Sequence, residues 1–429
     1  MIHKIKSLSK NKVIANGMWL YVLQFFNMIL PLLTLPYITR ILGTSQYGVF
    51  AFSLNLVSYL QVIVEYGFNL SGSRKIALTN DKEEQGRILS RISFSKLLLC
   101  VFSFIIMVSI SIILDIEEYQ FYSMLVLYTM VIGTAIQQLW LFQGLQVMRY
   151  ITIINVASRT VSVICIFLWV KEPSHIYLYC LLYAITSLLN GIISMLIIRY
   201  SLKIKIKKTS LKDIIGELKD SWSLFTTSAM NRIFSGIGIT ILGFSNNSNS
   251  VIGIYSAIQK VPLILLMFYA PISQAIYPYL SKQFSISFEK GLNAVRKFIK
   301  VIIPIVAFLC LGMVVFSEFI IDILYGKEYS LYSSLVIPLI GWFFLSILNN
   351  LFGIQGLIAS GHSKEFNTAF KIGLAAIIIF NAIFGVYWGV FGVAFAAVIA
   401  ELVLTVSLVF QLRQVQKNKK LINMIGGEL

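Results

Sequence analysis

Five ionisable side chains sit deep enough inside long apolar runs to carry chemistry: Arg159, Arg232, Lys260, Lys371 and Glu401. A charge at mid-bilayer costs at least about 2.5 kcal/mol unless it is paired or wetted, so such positions are the first to ask about. Arg232 and Glu401 each fall at the middle of a run. Arg159 and Lys260 lie roughly 12–14 Å inside theirs at 1.5 Å per residue. Lys371 is close enough to an end for its stem to snorkel to the membrane face, and Lys96, shallower still, is given no role. The deep groups are thus three cations and one carboxylate. If Glu401 neutralises one cation, two positive charges are left, and a diphosphate would complete them, because arginine forks onto phosphate oxygens. The competing reading is structural pairs and snorkelling ends. Glu401 keeps two readings, structural partner of an arginine or protonatable coupling group.

Other chemistry is missing from the sequence. It contains no Gly-x-x-x-x-Gly-Lys-Ser/Thr phosphate loop and no His-Glu-x-x-His, and His3, His175 and His362 are scattered. Cys100, Cys165, Cys180 and Cys310 all lie in apolar runs and read as small core residues rather than disulfides or metal ligands. Trp140, Gln137, Gln138 and Asn349 are able to stack on or hydrogen-bond sugars, although such residues in spans usually serve helix packing. An enzyme is not expected, nor a cofactor beyond H+ or Na+ coupling.

The elements holding these residues are membrane helices. Of 429 residues, 58% are hydrophobic and 12% charged, half the charge density of a soluble domain. Apolar runs of about 20 residues recur along the chain, without the alternation of a barrel. Twelve spans are expected, at 13–38, 46–66, 92–114, 119–142, 151–170 and 176–199, then 221–244, 251–278, 298–324, 333–358, 366–387 and 389–412. The first run is too long for a cleaved signal and is expected to stay as the first span. Pro31 and Pro36, and Pro262, Pro271 and Pro278, are expected to kink the first and eighth spans.

Lysine and arginine set the orientation. With both termini inside, 27 fall on the cytoplasmic side, Arg199 and Lys300 at the cytoplasmic ends of their spans included, three (Arg40, Lys171 and Lys327) on the other, and five deeper within spans. The net charge of +17 is therefore a topology signal rather than a nucleic-acid one. The outer loops are short, with Ser245 to Ser250 a polar turn, so function must lie within the membrane or at its faces.

The connection 200–220 divides the chain into a six-helix lobe at 1–199 and another at 221–429. Its basic start, Lys203 to Lys208, suits anionic headgroups. Ser210 and Asp213 can then cap a helix whose Leu211, Ile214, Ile215, Leu218 and Trp222 form one interfacial stripe. The lobes also repeat. Ile41-Leu42-Gly43 matches Ile241-Leu242-Gly243, Gly48 matches Gly253, and Glu84-x-Gly86 with Arg91 matches Glu289-x-Gly291 with Arg296. Six-helix halves of equal orientation imply a parallel pseudo-two-fold along the membrane normal, an architecture of alternating-access transporters.

The stretch Pro36-Tyr37-Ile38-Thr39-Arg40-Ile41-Leu42-Gly43-Thr44-Ser45-Gln46-Tyr47-Gly48 resembles the first helix junction of Wzx-type O-antigen and polysaccharide flippases. Glu65-Tyr66-Gly67-Phe68, leading to Ser73-Arg74-Lys75, is similar to that family's second-helix exit. These flippases belong to the multidrug/oligosaccharidyl-lipid/polysaccharide exporter superfamily. The resemblance implies an all-α fold and a substrate of undecaprenyl-diphosphate-linked oligosaccharide, moved from the cytoplasmic to the periplasmic leaflet of a bacterial inner membrane. Other polysaccharide-assembly proteins are then possible partners. A peptidoglycan-precursor flippase is the nearest alternative. A cation or drug antiporter of the same superfamily would want acidic groups where this sequence has a cationic excess.

Overall fold

The computed structural model describes residues 12–245 and 248–425. Lys4, Lys6, Lys10 and His3, together with Asn246 and Asn247 of the expected outer turn, lie outside the described residues. Contacts divide the chain into two compact units, Met1–Ser235 and Gly236–Leu429. All regular elements among the described residues are helical. Nine helical segments there are long and apolar enough to cross a membrane, which makes this a multi-pass membrane protein.

The count of nine differs from the expected twelve for a physical reason. Two segments, Asn16–Ala77 and Ser363–Lys419, run for 62 and 57 residues, far beyond the ~20 that one crossing needs. Helix α1 (Lys12–Glu65) has helical dihedrals except at Gly43, where φ 68° and ψ 178° are open only to glycine. The expected loop around Arg40 is therefore a one-residue kink. Backbone breaks at Gly43, not at Pro31 or Pro36, through which the helix continues.

The first unit continues with α2 (Phe68–Ala77), α3 (Lys82–Ile113), α4 (Glu118–Ile136), α5 (Leu139–Gly144), α6 (Met148–Trp169) and α7 (Ile176–Ile197). Asp81 starts α3, its carboxylate accepting from the Glu83 and Glu84 amides, while those acids face the helix N-terminus. Lipid is as apolar as leucine, so the helices hold together by close packing rather than hydrophobic exclusion. Gly133 on α4 lies against the Ser187 and Leu188 backbone of α7, and a Cβ on Gly191 would stand 2.9 Å from the Gly133 carbonyl. Small residues thus set that crossing.

Helix α8 (Leu211–Phe244) is one uninterrupted element, so the expected interfacial helix and the seventh span are continuous. Its start carries the expected cap: Ser210 N–H donates to Asp213 Oδ2 at 3.2 Å and Asp213 N–H to Ser210 Oγ at 3.2 Å. Leu211, Ile215 and Trp222 are exposed, but Ile214, Glu217 and Ser221 are buried. That second face docks on α2, with Lys75 Nζ 2.8 Å from Glu217 and 2.9 Å from Asp220, and Ser71 Oγ 2.8 Å from Ser221 Oγ. The basic strip before it runs along α3: Lys207 N–H donates to Ser90 Oγ at 2.7 Å, its ammonium meets Glu83 at 3.1 Å, and the Lys205 carbonyl passes against Gly86. Ion pairs to protein therefore share this connection with the headgroups expected from sequence.

The second unit holds α9 (Asn249–Ile286), α10 (Phe288–Val315), α11 (Ser317–Tyr325), α12 (Lys327–Ser330) and α13 (Val336–Asn349). A wide helical turn, Asn350–Ile358, then leads to α14 (Ser363–Phe380), a second at Asn381–Gly385, and α15 (Val386–Ile425). Helix α9 is continuous through its three prolines, and α15 kinks at Gly389 (φ 55°). Tyr269, Val306, Phe343, Ile347 and Leu351 form one core of the unit.

Candidate functional site

Arg159 on α6 and Arg232 on α8 both belong to the first unit, and both are held from α1. Arg159 Nη1 donates to Asn27 Oδ1 at 2.8 Å. Arg232 Nη2 donates to Asn55 Oδ1 at 2.7 Å and to the Asn55 carbonyl at 3.2 Å. Its guanidinium carbon stands 5.2 Å from the Tyr59 ring centre, a cation–π distance. Tyr183 on α7 lies within electrostatic reach of both guanidiniums and keeps 39% of its surface open. The structure thus anchors both arginines to α1 within one unit.

Their protein partners are neutral. Among the described residues the ion pairs involve Lys75, Arg87, Arg91, His175 and Lys207, and neither deep arginine is in one. Arg232 Nε is buried without a hydrogen-bond partner. Carboxamides and a tyrosine face orient the two cations without cancelling their charge, which leaves donors and field for an anionic ligand.

Glu401 on α15, at 5% exposure, accepts from Ser346 Oγ at 2.7 Å and from Asn349 Nδ2. Thr405 Oγ1 donates to Asn349 Oδ1 at 2.7 Å and closes the cluster. Within its unit the carboxylate is held by neutral groups, not by an arginine. Lys260 on α9 and Lys371 on α14 have exposed side chains in that same unit.

Several functional positions escape sequence reasoning. Asn27, Asn55 and Tyr59 are ordinary polar residues of apolar spans, and only folding shows that they contact arginines. Lys96, given no role above, is 2% exposed, and its ammonium donates to the Thr134 and Gln137 carbonyls at 3.3 and 3.0 Å. Trp140 is 1% exposed and donates to Gln138 Oε1 at 2.7 Å, while Gln138 Nε2 donates to Ser93 Oγ at 3.0 Å. Gln138 is a packing residue, and Trp140, though almost wholly buried, reaches the edge of a cavity beside Gln137 and Gln143. Asn349 belongs to the Glu401 cluster.

Known proteins resemble this chain in sequence and in fold. A protein of Escherichia coli (strain K12) named as an O-antigen transporter is 30% identical over 365 residues, covering 84% of this chain and 86% of that protein. A second so named, from Shigella dysenteriae, is 26% identical over 404 residues, covering 94% of this chain and 99% of that protein. Among solved structures, the lipid II flippase MurJ in an inward closed conformation superposes with TM-score 0.71 at 17% identity, covering 96% of this chain and 92% of that one. An inward-facing multidrug resistance MATE family transporter of the MOP superfamily gives TM-score 0.70 at 16% identity, covering 91% and 96%. At those identities the likeness is one of fold. Residues 13–284 match the polysaccharide biosynthesis protein family, and with the E. coli likeness this establishes that the chain belongs to that family.

Proposed function

We propose that this chain is a polysaccharide flippase that moves undecaprenyl-diphosphate-linked oligosaccharide from the cytoplasmic to the periplasmic leaflet of a bacterial inner membrane, by alternating access, for O-antigen or other surface polysaccharide. Family membership and the named O-antigen transporters support the class of cargo. The observation that carries the anionic headgroup is the pair Arg159 and Arg232, each held from α1 by a neutral carboxamide and neither in an ion pair. In this reading the two guanidiniums hold the diphosphate while the polyprenyl tail stays in lipid. Lys260 and Lys371 add positive potential along the path. Glu401 is a group through which H+ or Na+ couples to transport. A cationic excess of this kind disfavours a cation or drug antiporter, and the named relatives favour O-antigen cargo over a peptidoglycan precursor.

The architecture belongs to the same proposal. Cutting the two overlong helical segments at Gly43 and Gly389, and adding α8, makes twelve spans. These form lobes at 1–199 and 221–429 joined by the 200–220 linker, with both termini cytoplasmic. Other polysaccharide-assembly proteins are its expected partners.

Replacing Arg232 tests the reading. Arg232→Ala should abolish surface polysaccharide at normal protein level, and Arg232→Lys should keep part of it, because the charge survives without the fork. Full export by Arg232→Ala would overturn the diphosphate role.

A further inference from the structure

The fourth expected span, 119–142, is broken where the sequence reads as one run. Helix α4 stops at Ile136, Gln137 turns extended (φ −65°, ψ 130°), and α5 restarts for only six residues. Gln146, at φ 55°, then leads into α6. Irregular backbone at membrane depth is tolerated where its polar groups are taken up again or line a cavity. Both conditions hold here. Lys96 takes the Thr134 and Gln137 carbonyls, and the Gln138 N–H donates to Ser194 Oγ at 3.2 Å.

Beside the break lies a cavity of about 240 Å³ within the first unit. Asn69, Gln137 and Gln143 supply carboxamides to its lining, and Leu20, Met148 and Ile151 supply an aliphatic wall. Among the described residues no ionised side chain lines it. Carboxamides donate and accept alike, which suits hydroxyl groups, and an aliphatic wall suits the C–H face of a ring. The volume is below the roughly 300–1,000 Å³ of pockets for drug-sized ligands, and so fits one ring rather than a chain of them. Ile151, Asn155 and Arg159 recur at four-residue spacing on α6, so the cavity and the arginine share one helix face about 12 Å apart.

We infer that this cavity binds a single neutral sugar ring, at a site separate from the arginines. Only the source of the ring rests on the flippase reading, in which it is part of the glycan whose diphosphate the arginines hold. The broken helix shapes the site: the Gln137 N–H still donates to the Gly133 carbonyl at 2.8 Å, and the ladder opens one residue later, where the Gln138 N–H turns to Ser194.

The test uses the full chain in lipid nanodiscs with Leu20→Cys as reporter, the unsubstituted chain giving the background of the native cysteines. Modification by a water-soluble maleimide is followed with methyl β-glucoside, N-acetylglucosamine or inorganic pyrophosphate added. A neutral sugar should slow modification saturably, about threefold at twice its half-saturating concentration. Pyrophosphate should not. Gln137→Leu should remove the protection, and so should Gln143→Ala, whose exposed side chain leaves folding undisturbed. No protection by either sugar, protection unchanged in Gln143→Ala, or protection by pyrophosphate instead would each overturn the inference. The readout is independent of transport. Sugar protection alongside full export by Arg232→Ala would sink the diphosphate role of the arginines alone, and lost protection with Arg232-dependent export intact would sink the cavity alone.

Discussion

Arg232 and Asn55 are joined twice, the guanidinium Nη2 donating to both the side-chain oxygen at 2.7 Å and the main-chain oxygen at 3.2 Å. The second bond aims at a carbonyl that also belongs to helix α1, so the asparagine fixes the direction of the guanidinium as well as its place. Asn55→Leu removes the side-chain acceptor and leaves the arginine free to swing. A hydrogen bond to a charged group is worth about 1.5–3 kcal/mol. Export measured as surface polysaccharide per cell should therefore fall about tenfold or more with protein level unchanged. Export equal to the unsubstituted chain would mean that Asn55 does not orient Arg232.

Glu401 separates two roles through its neutral neighbours. Glu401→Gln keeps the shape and an acceptor for Asn349, its amide donating to a Ser346 hydroxyl turned to accept, but cannot carry or release a proton. Loss of export with normal folded protein, and a flattened dependence of export on external pH or Na+, is expected for a coupling group. Loss of folded protein in detergent-solubility assays would assign it a structural role instead.

Gly67 joins α1 to α2 at φ 75°, and a Cβ there would stand 2.5 Å from Leu224 Cβ and 3.0 Å from the α8 backbone. Tyr66 stacks on Phe225 at 4.5 Å in the same contact. Gly67→Ala meets both a strained dihedral and a clash with backbone, and should destabilise the protein by roughly 1–3 kcal/mol. A fall in melting temperature of the purified protein checks it, with Gly17→Ala, where a Cβ meets nothing within 4 Å, as the neutral comparison.

Ser210 and Asp213 close the start of α8 outside the membrane. The Ser210 hydroxyl and amide bonds hold the Asp213 carboxyl below its ordinary value of 3.8. A carboxylate lowered on folding stabilises the helix start above that ordinary value, and the benefit is lost as pH falls through the lowered one. Ser210→Ala should return the Asp213 midpoint upward in an NMR titration and speed amide exchange at 211–214. An unmoved midpoint would mean that the cap does not hold this carboxylate.

The 27-to-3 distribution of lysine and arginine makes the orientation testable. A reporter active only in the periplasm should be silent when fused after Lys207 and active when fused after Asn247. The opposite pattern would reverse the topology and the direction of transport with it.

The class of molecule was legible in the sequence because lipid demands it. A segment of about 20 apolar residues has one stable solution in a bilayer, and flanking lysines read out its sides. The deep charges Arg159, Arg232 and Glu401 stood out for the same reason, each being costly in hydrocarbon. The Glu65-Tyr66-Gly67-Phe68 signature was visible as well, though not its cause, the approach of α8 to Gly67. Tertiary structure decided the rest. A polar residue in an apolar run looks the same whether it packs or binds, so only folding could set Asn27 and Asn55 on the arginines, retire Trp140 and Gln138 to the core, and bury Lys96 under a broken helix. Composition reads 119–142 as one span and Glu118–Gly144 is one, but hydropathy sums side chains and is blind to the backbone break inside it. The break at Gln137 persists because Lys96 and Ser194, distant in sequence, take up the carbonyls and amide that it frees.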